Sequence, residues 1–167
     1  MMSCLDESLN CSFYFFINRK GVFHLKTGKT IHELTIGEQA SITKRIEQKD
    51  VETFGHITGD YNPAHFDEAY AATTMFKKRI AHGMLIGSLF SPVLASKLPG
   101  PGVIYVSQSL KFTRPVYFGD EITATVTVSE IDVDKNRVTL LCEAKNQEDT
   151  LVIKGEAVMM PRKDTSR

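Results

Sequence analysis

The chain reads as an α+β domain in which an antiparallel sheet is layered against one long apolar helix. Three observations lead there. One early segment and four late ones have the length and composition of strands, a single apolar run occupies 83–95, and Pro99-Gly100-Pro101-Gly102 separates the halves with a strong loop signal. Composition and periodicity alone do not separate this layout from other α+β folds.

Residues 1–31 carry the weakest pattern. Cys11-Ser12-Phe13-Tyr14-Phe15-Phe16-Ile17 is apolar, but Asp6 and Glu7 stand where a signal peptide would carry basic residues, and Asn18-Arg19-Lys20 follow. The two acids also count against a mitochondrial transit peptide, while Arg19, Lys20, Lys26 and Lys29 leave that alternative open. Residues 14–26 suit an extra strand turned at Lys20-Gly21.

From Glu38 the pattern becomes regular. Ala40, Ile42, Lys44 and Ile46 alternate with Ser41, Thr43 and Arg45, the period of a half-buried strand, with Lys44 interrupting the apolar face. The period then changes: Val51, Phe54 and Ile57 fall at helical spacing ahead of Gly59, so a short helix delivers the chain to the next loop. His56 lies in that helix as partly exposed structure. A second short helix fits 67–74, with Asp67 as N-cap and Ala69, Ala71 and Ala72 favouring it. The run 83–95 is apolar on nearly every face, as expected of a helix wrapped on all sides. Segments 103–112, 121–131, 137–146 and 151–160 then read as strands, broken by Arg114-Pro115 with Gly119-Asp120, by Asp134-Lys135-Asn136 and by Gln147-Glu148-Asp149.

A length of 167 residues suits one domain with its own core. Twenty basic and twenty acidic side chains cancel, which points away from nucleic acid or an anionic membrane as partner. Cys4, Cys11 and Cys142 are odd in number and lack close metal-type spacing, so neither a disulfide framework nor a zinc site is expected, and a reducing compartment is the simplest home. No apolar run approaches the roughly twenty residues that span a bilayer. The expectation is a soluble, cytoplasmic protein.

The chemistry concentrates in Gly59-Asp60-Tyr61-Asn62-Pro63-Ala64-His65 and Ala81-His82-Gly83-Met84. Asp60 and His65 are five positions apart, and Gly59, Asn62 and Pro63 are turn formers that curl the segment so both side chains aim at one point. A carboxylate beside an imidazole suits proton transfer near neutral pH, and neither group needs a metal or cofactor for it. Gly83 opens the apolar helix, whose first turn has unpaired N–H groups able to hold an oxyanion, as chemistry on a thioester requires. Taken singly, the first stretch is equally an ordinary surface turn capped by Asp60, and the second a buried helix that happens to begin with glycine.

The run GDYNPAHFDEAYAATTMFKKRIAHGMLIGSLFS resembles the signature of the MaoC-like hydratases, nearest to the (R)-specific enoyl-CoA hydratases, and the likeness continues through YVSQSLKFTRPVYFGDEITATV to about Pro161. The resemblance covers 32–167 as one hydratase domain and leaves 1–31 as an extension of unassigned role. It implies a hot-dog fold, an antiparallel sheet wrapped around one long central helix, working as a homodimer on an acyl-CoA thioester. The implied reaction is reversible hydration of a trans-2-enoyl-CoA to a (3R)-3-hydroxyacyl-CoA. By the same resemblance Asp60 and His65 are the catalytic pair, Asn62 helps hold the site, and Gly83 N–H receives the thioester oxygen. Ser88, Ser91 and Leu94 are expected to line the acyl pocket, while Pro92 departs from the pattern and is expected to bend the helix. Tyr105 and Gln108 are candidates to serve a neighbouring subunit's site. Lys77-Lys78-Arg79 suits either a solvated loop or CoA phosphates, and His82 either packing or hydrogen bonding at the helix entrance. Dehydration of 3-hydroxyacyl groups on acyl-carrier protein, and a non-catalytic acyl-CoA binding role, fit the same residues.

Overall fold

A computed structural model describes residues 27–163 in full and the backbone of 16–17 and 23–24. Strands β1 (Phe16–Ile17) and β2 (Phe23–His24) pair antiparallel, so the single extra strand expected over 14–26 becomes a two-stranded pair. The Lys20-Gly21 turn, Cys4 and Cys11 lie outside the described residues.

The main sheet has five antiparallel strands, β3 (Gln39–Arg45), β4 (Ile104–Phe112), β5 (Glu121–Asp132), β6 (Arg137–Lys145) and β7 (Leu151–Met160), in the order β3-β5-β6-β7-β4. Alternation decides which face packs. In β5, Ile122, Ala124, Val126 and Val128 are buried; in β6 their counterparts are Val138, Leu140, Cys142 and Ala144. The turns fall where expected, with Asn136 and Asp149 in the left-handed conformation at φ 52° and 59°. Lys44, the interruption in β3, reaches Asp50 at 3.0 Å, so its charge is matched.

Against the inner face lie helices α4 (Gly83–Ser88) and α5 (Phe90–Ser96), joined through Leu89 at φ −65°, ψ −19°. Phe90, Val93 and Leu94 are fully buried, each contributing about 1.5–3 kcal/mol by leaving water. This is the hot-dog arrangement that the resemblance implies. The irregularity expected at Pro92 appears as a break: α4 ends at Ser88 and the helix restarts at Phe90, placing Pro92 in the first turn of α5, where its missing N–H would have no partner anyway. One expectation for the helix is corrected, because it is not wrapped on all sides: Met84, Ser88, Ser91, Pro92 and Ala95 form an exposed stripe at helical spacing.

Helix α1 (Gln48–Thr58) starts at a capping box between Glu47 and Asp50 and buries Val51 and Gly55. Ile57, assigned to its apolar face by spacing, is 76% exposed. Gly59 ends the helix at φ 75°, its N–H donating to Gly55 O at 2.8 Å. A side chain there would be strained, so glycine is what lets the chain reverse into the next loop. Helix α2 (Pro63–Phe66) and helix α3 (Glu68–Thr73) follow.

Candidate active site

The loop after Gly59 is held by its own side chains. Asp60 Oδ1 accepts from Asn62 N–H at 3.2 Å, and Asn62 Oδ1 accepts from Ala64 N–H at 3.0 Å, capping α2 with Pro63 in the first turn. His65 therefore projects from a helical turn rather than from the irregular curl expected, and Asn62 acts through that cap: it is exposed and lines no part of the cavity described below. Asp67 caps α3 as expected, accepting from Tyr70 N–H at 2.9 Å. His56 is exposed and lies 3.3 Å from the Tyr61 hydroxyl.

Segment 80–81 ties this loop to the sheet side. Ile80 N–H donates to Ala64 O at 3.2 Å, Ala81 N–H donates to Val116 O at 2.8 Å, and Ile80 bridges antiparallel to Tyr117. Ile80 O in turn lies 2.9 Å from His65 Nδ1. A carbonyl can only accept, so Nδ1 carries the proton and Nε2 keeps its lone pair, the state of a base.

His82 is 2% exposed and closes the constellation. Its Nε2 donates to Asp60 O at 2.9 Å and lies 4.0 Å from Asp60 Oδ2, while its ring stacks on His65 with centroids 3.8 Å apart. Phe54 and Phe66 flank it at 5.0 and 5.8 Å. Nδ1 of His82 is buried and has no hydrogen-bond partner among the described residues. Burial pushes the His65 pKa below its ordinary value; the Ile80 hydrogen bond opposes this, neighbouring His82 adds to it, and Asp60 opposes it. The imidazole is thereby kept neutral. Asp60, His65 and His82 each bring a potential ligand atom within 4.8 Å of the others, a spacing that a divalent cation could bridge, although proton transfer by this set needs none.

Asp60, His65, His82 and Gly83 open on one cavity of about 540 Å³, the size of a small-molecule site. Its other walls are mostly apolar, including Met75, Phe76, Met84, Ile86, Phe112 and Ile153, with Arg114 among the few polar members. Gly83 is the first residue of α4, so its N–H belongs to the unpaired first turn. An added Cβ there would meet Phe112 Cε1 at 2.9 Å, which explains glycine at this point.

The other expected site residues lie elsewhere. Ser88 and Ser91 are on the exposed stripe, Ser88 Oγ donating to Leu85 O at 2.6 Å. Leu94 faces the sheet and is fully buried in the core, so it lines no part of the cavity. Tyr105 and Gln108 lie on edge strand β4, with the Tyr105 hydroxyl donating to Gln108 Oε1. Burial raises the Cys142 thiol to about 11, so it is no nucleophile. Sequence reasoning missed the cavity walls supplied by Phe112 and Ile153, which carry no chemical signal, and the depth of His82.

Comparison with known proteins gives one family model, described as MaoC like domain, matching residues 30–150. An (R)-specific enoyl-CoA hydratase of Rhodospirillum rubrum is 49% identical over 126 residues, covering 74% of this chain and 85% of the relative. One from Aeromonas caviae is 45% identical, covering 75% and 94%. Among solved structures, R-hydratase PhaJ1 of Pseudomonas aeruginosa in its unliganded form superposes with a TM-score of 0.77 at 45% identity, covering 82% of this chain and 88% of that one.

Proposed function

Because the chain belongs to the MaoC-like domain family, we propose that it is a hydro-lyase that reversibly hydrates trans-2-enoyl-CoA to (3R)-3-hydroxyacyl-CoA. The observation that carries this reading is the convergence of Asp60, neutral His65 and the first-turn N–H of Gly83 on one largely apolar cavity. Asp60 and His65 hold one water between them. Its hydroxyl adds to C3 and its proton reaches C2, while Gly83 N–H takes up charge on the thioester oxygen as the enolate forms. Asn62 serves by capping α2, which fixes where His65 points.

The catalytic unit is the domain of 32–167. Its place is the cytoplasm, and it works as a homodimer, an association supported by the exposed stripe of α4 and α5 and by edge strand β4, where Ile104, Tyr105 and Val106 are 55%, 42% and 47% exposed. Ser88 and Ser91, exposed on that stripe, line the acyl chain in the dimer. No helix among the described residues is long and apolar enough to cross a membrane.

The test is absorbance change on crotonyl-CoA by purified protein, with chiral analysis of the product. Asp60→Asn and His65→Gln should each lower kcat by about 10²–10⁴ while circular dichroism stays unchanged. Full rate in either variant removes the proposed catalyst, and sedimentation as a monomer removes the dimer.

A further inference from the structure

Beside the catalytic cavity lies a second, of about 490 Å³, lined by Glu68, Phe76, Lys77, Lys78, Arg79, Tyr117 and Phe118. Phe76 lines both, so the two hollows adjoin at that residue. The turn that builds the second cavity is three residues from Ile80, whose carbonyl holds His65.

Its cations are not equivalent. Arg79 is spoken for: its guanidinium lies 4.8 Å over the Phe118 ring, donates to Phe66 O at 3.2 Å and stands 3.5 Å from Glu68. Lys77 and Lys78 are exposed and have no ion-pair partner among the described residues. Lys77 is held at φ 64°, a left-handed conformation uncommon outside glycine, in a turn closed by its N–H on Thr74 O at 3.3 Å. The rings are fixed as well, since the Tyr117 hydroxyl donates to Phe76 O at 3.1 Å. Three cations against one carboxylate, among three aromatic rings in a concave wall, is chemistry suited to a purine carrying several phosphates. A flat basic face would suit an acidic protein surface better.

We infer that this second cavity receives the phosphorylated adenosine end of CoA while the thioester occupies the catalytic cavity. The inference rests on the hydratase reading and sharpens it: a carrier-protein thioester has a phosphopantetheine arm but no nucleotide, so the cavity makes CoA the preferred carrier.

The experiment compares wild type with the double variant Lys77→Ala/Lys78→Ala on crotonyl-CoA and on crotonyl-pantetheine, which lacks the nucleotide and its phosphates. The expected result is a KM for crotonyl-CoA raised about tenfold at unchanged kcat, with kcat/KM for crotonyl-pantetheine moved less than about twofold. Calorimetry should also show adenosine 3′,5′-bisphosphate binding to wild type and not to the double variant. Equal shifts on both substrates, or no shift, overturn the subsite. With crotonyl-acyl-carrier protein as a third substrate, a KM increase confined to it also overturns the subsite and assigns the lysines to protein docking. The calorimetric arm separates the two readings: wild type that hydrates crotonyl-CoA but ignores the bisphosphate loses the subsite and keeps the hydratase, and the reverse result does the opposite.

Discussion

His82→Phe separates what this buried ring does for catalysis from what it does for stability. Phenylalanine keeps an aromatic plane against His65, 3.8 Å away between centroids, and keeps the contacts with Phe54 and Phe66. It removes the 2.9 Å hydrogen bond from Nε2 to Asp60 O, worth about 1 kcal/mol net. It also removes Nδ1, a buried acceptor without a protein partner, whose desolvation costs about 1–3 kcal/mol. The second effect is the larger, so the variant should be as stable as wild type or up to about 2 kcal/mol more stable in urea denaturation. Activity should move the other way. Asp60 sits on an exposed loop, and without its carbonyl anchor the loss of about 1 kcal/mol in positioning lowers kcat about fivefold, with KM for crotonyl-CoA little changed. His82→Gln, whose amide can still donate to Asp60 O, should recover part of the rate. A folded His82→Phe protein with wild-type kcat refutes the positioning argument, and a stability loss above about 2 kcal/mol refutes the claim that Nδ1 is a liability.

Three further predictions follow from burial, close contact and protonation. The folded-state pKa of His65 lies below its unfolded value of about 6.5, so the unfolded chain binds more protons in the interval between them. The contribution of His65 to stability is therefore complete above about 6.5 and declines as pH falls toward the folded value; urea midpoints for His65→Gln should be flatter across that window. The acid limb of kcat/KM should likewise begin below about 6.5, and a midpoint above it would contradict a desolvated base. Leu94→Ala should cost about 2–5 kcal/mol with KM unchanged, whereas Ser88→Ala should cost under about 0.5 kcal/mol; a KM effect from Leu94→Ala would return that residue to the acyl pocket. Gly155→Ala places a Cβ 1.9 Å from Ser109 O across the β7–β4 ladder, so it should cost about 1–3 kcal/mol and raise KM as β4 shifts Phe112; an unchanged thermal midpoint would show that the strands part freely.

The loop that carries the proposed catalytic pair was legible because its geometry is local. Gly59 as a left-handed cap, Asn62 capping the turn that carries His65, and Asp67 capping α3 are decisions made within a few residues, and turn chemistry reports them in sequence. Gly83 was legible for the same reason, as the first residue of an apolar run. The walls of the cavity were not, because Phe112 and Ile153 reach it through the β4–β7 pairing, and strand pairing across tens of residues leaves no trace in periodicity. Ile57 shows the converse failure, since helical spacing placed an apolar residue inward that the tertiary structure leaves in water.

The central helix shows why the expected acyl-pocket residues separated. Its sequence is apolar around nearly the whole circumference, yet one chain covers only the face that carries Ile86, Phe90, Val93 and Leu94. The opposite stripe, from Met84 through Ser88, Ser91 and Pro92 to Ala95, contains no charge that would favour permanent exposure. An uncharged stripe on a core helix is stable against association only if something covers it. The uncharged stripe is what supports the proposed dimer, whereas the 540 Å³ cavity is formed within a single chain. Met84, at one end of that stripe, also lines the cavity that Asp60 and His65 open on, so in the proposed dimer a partner covering the stripe would sit beside the cavity mouth.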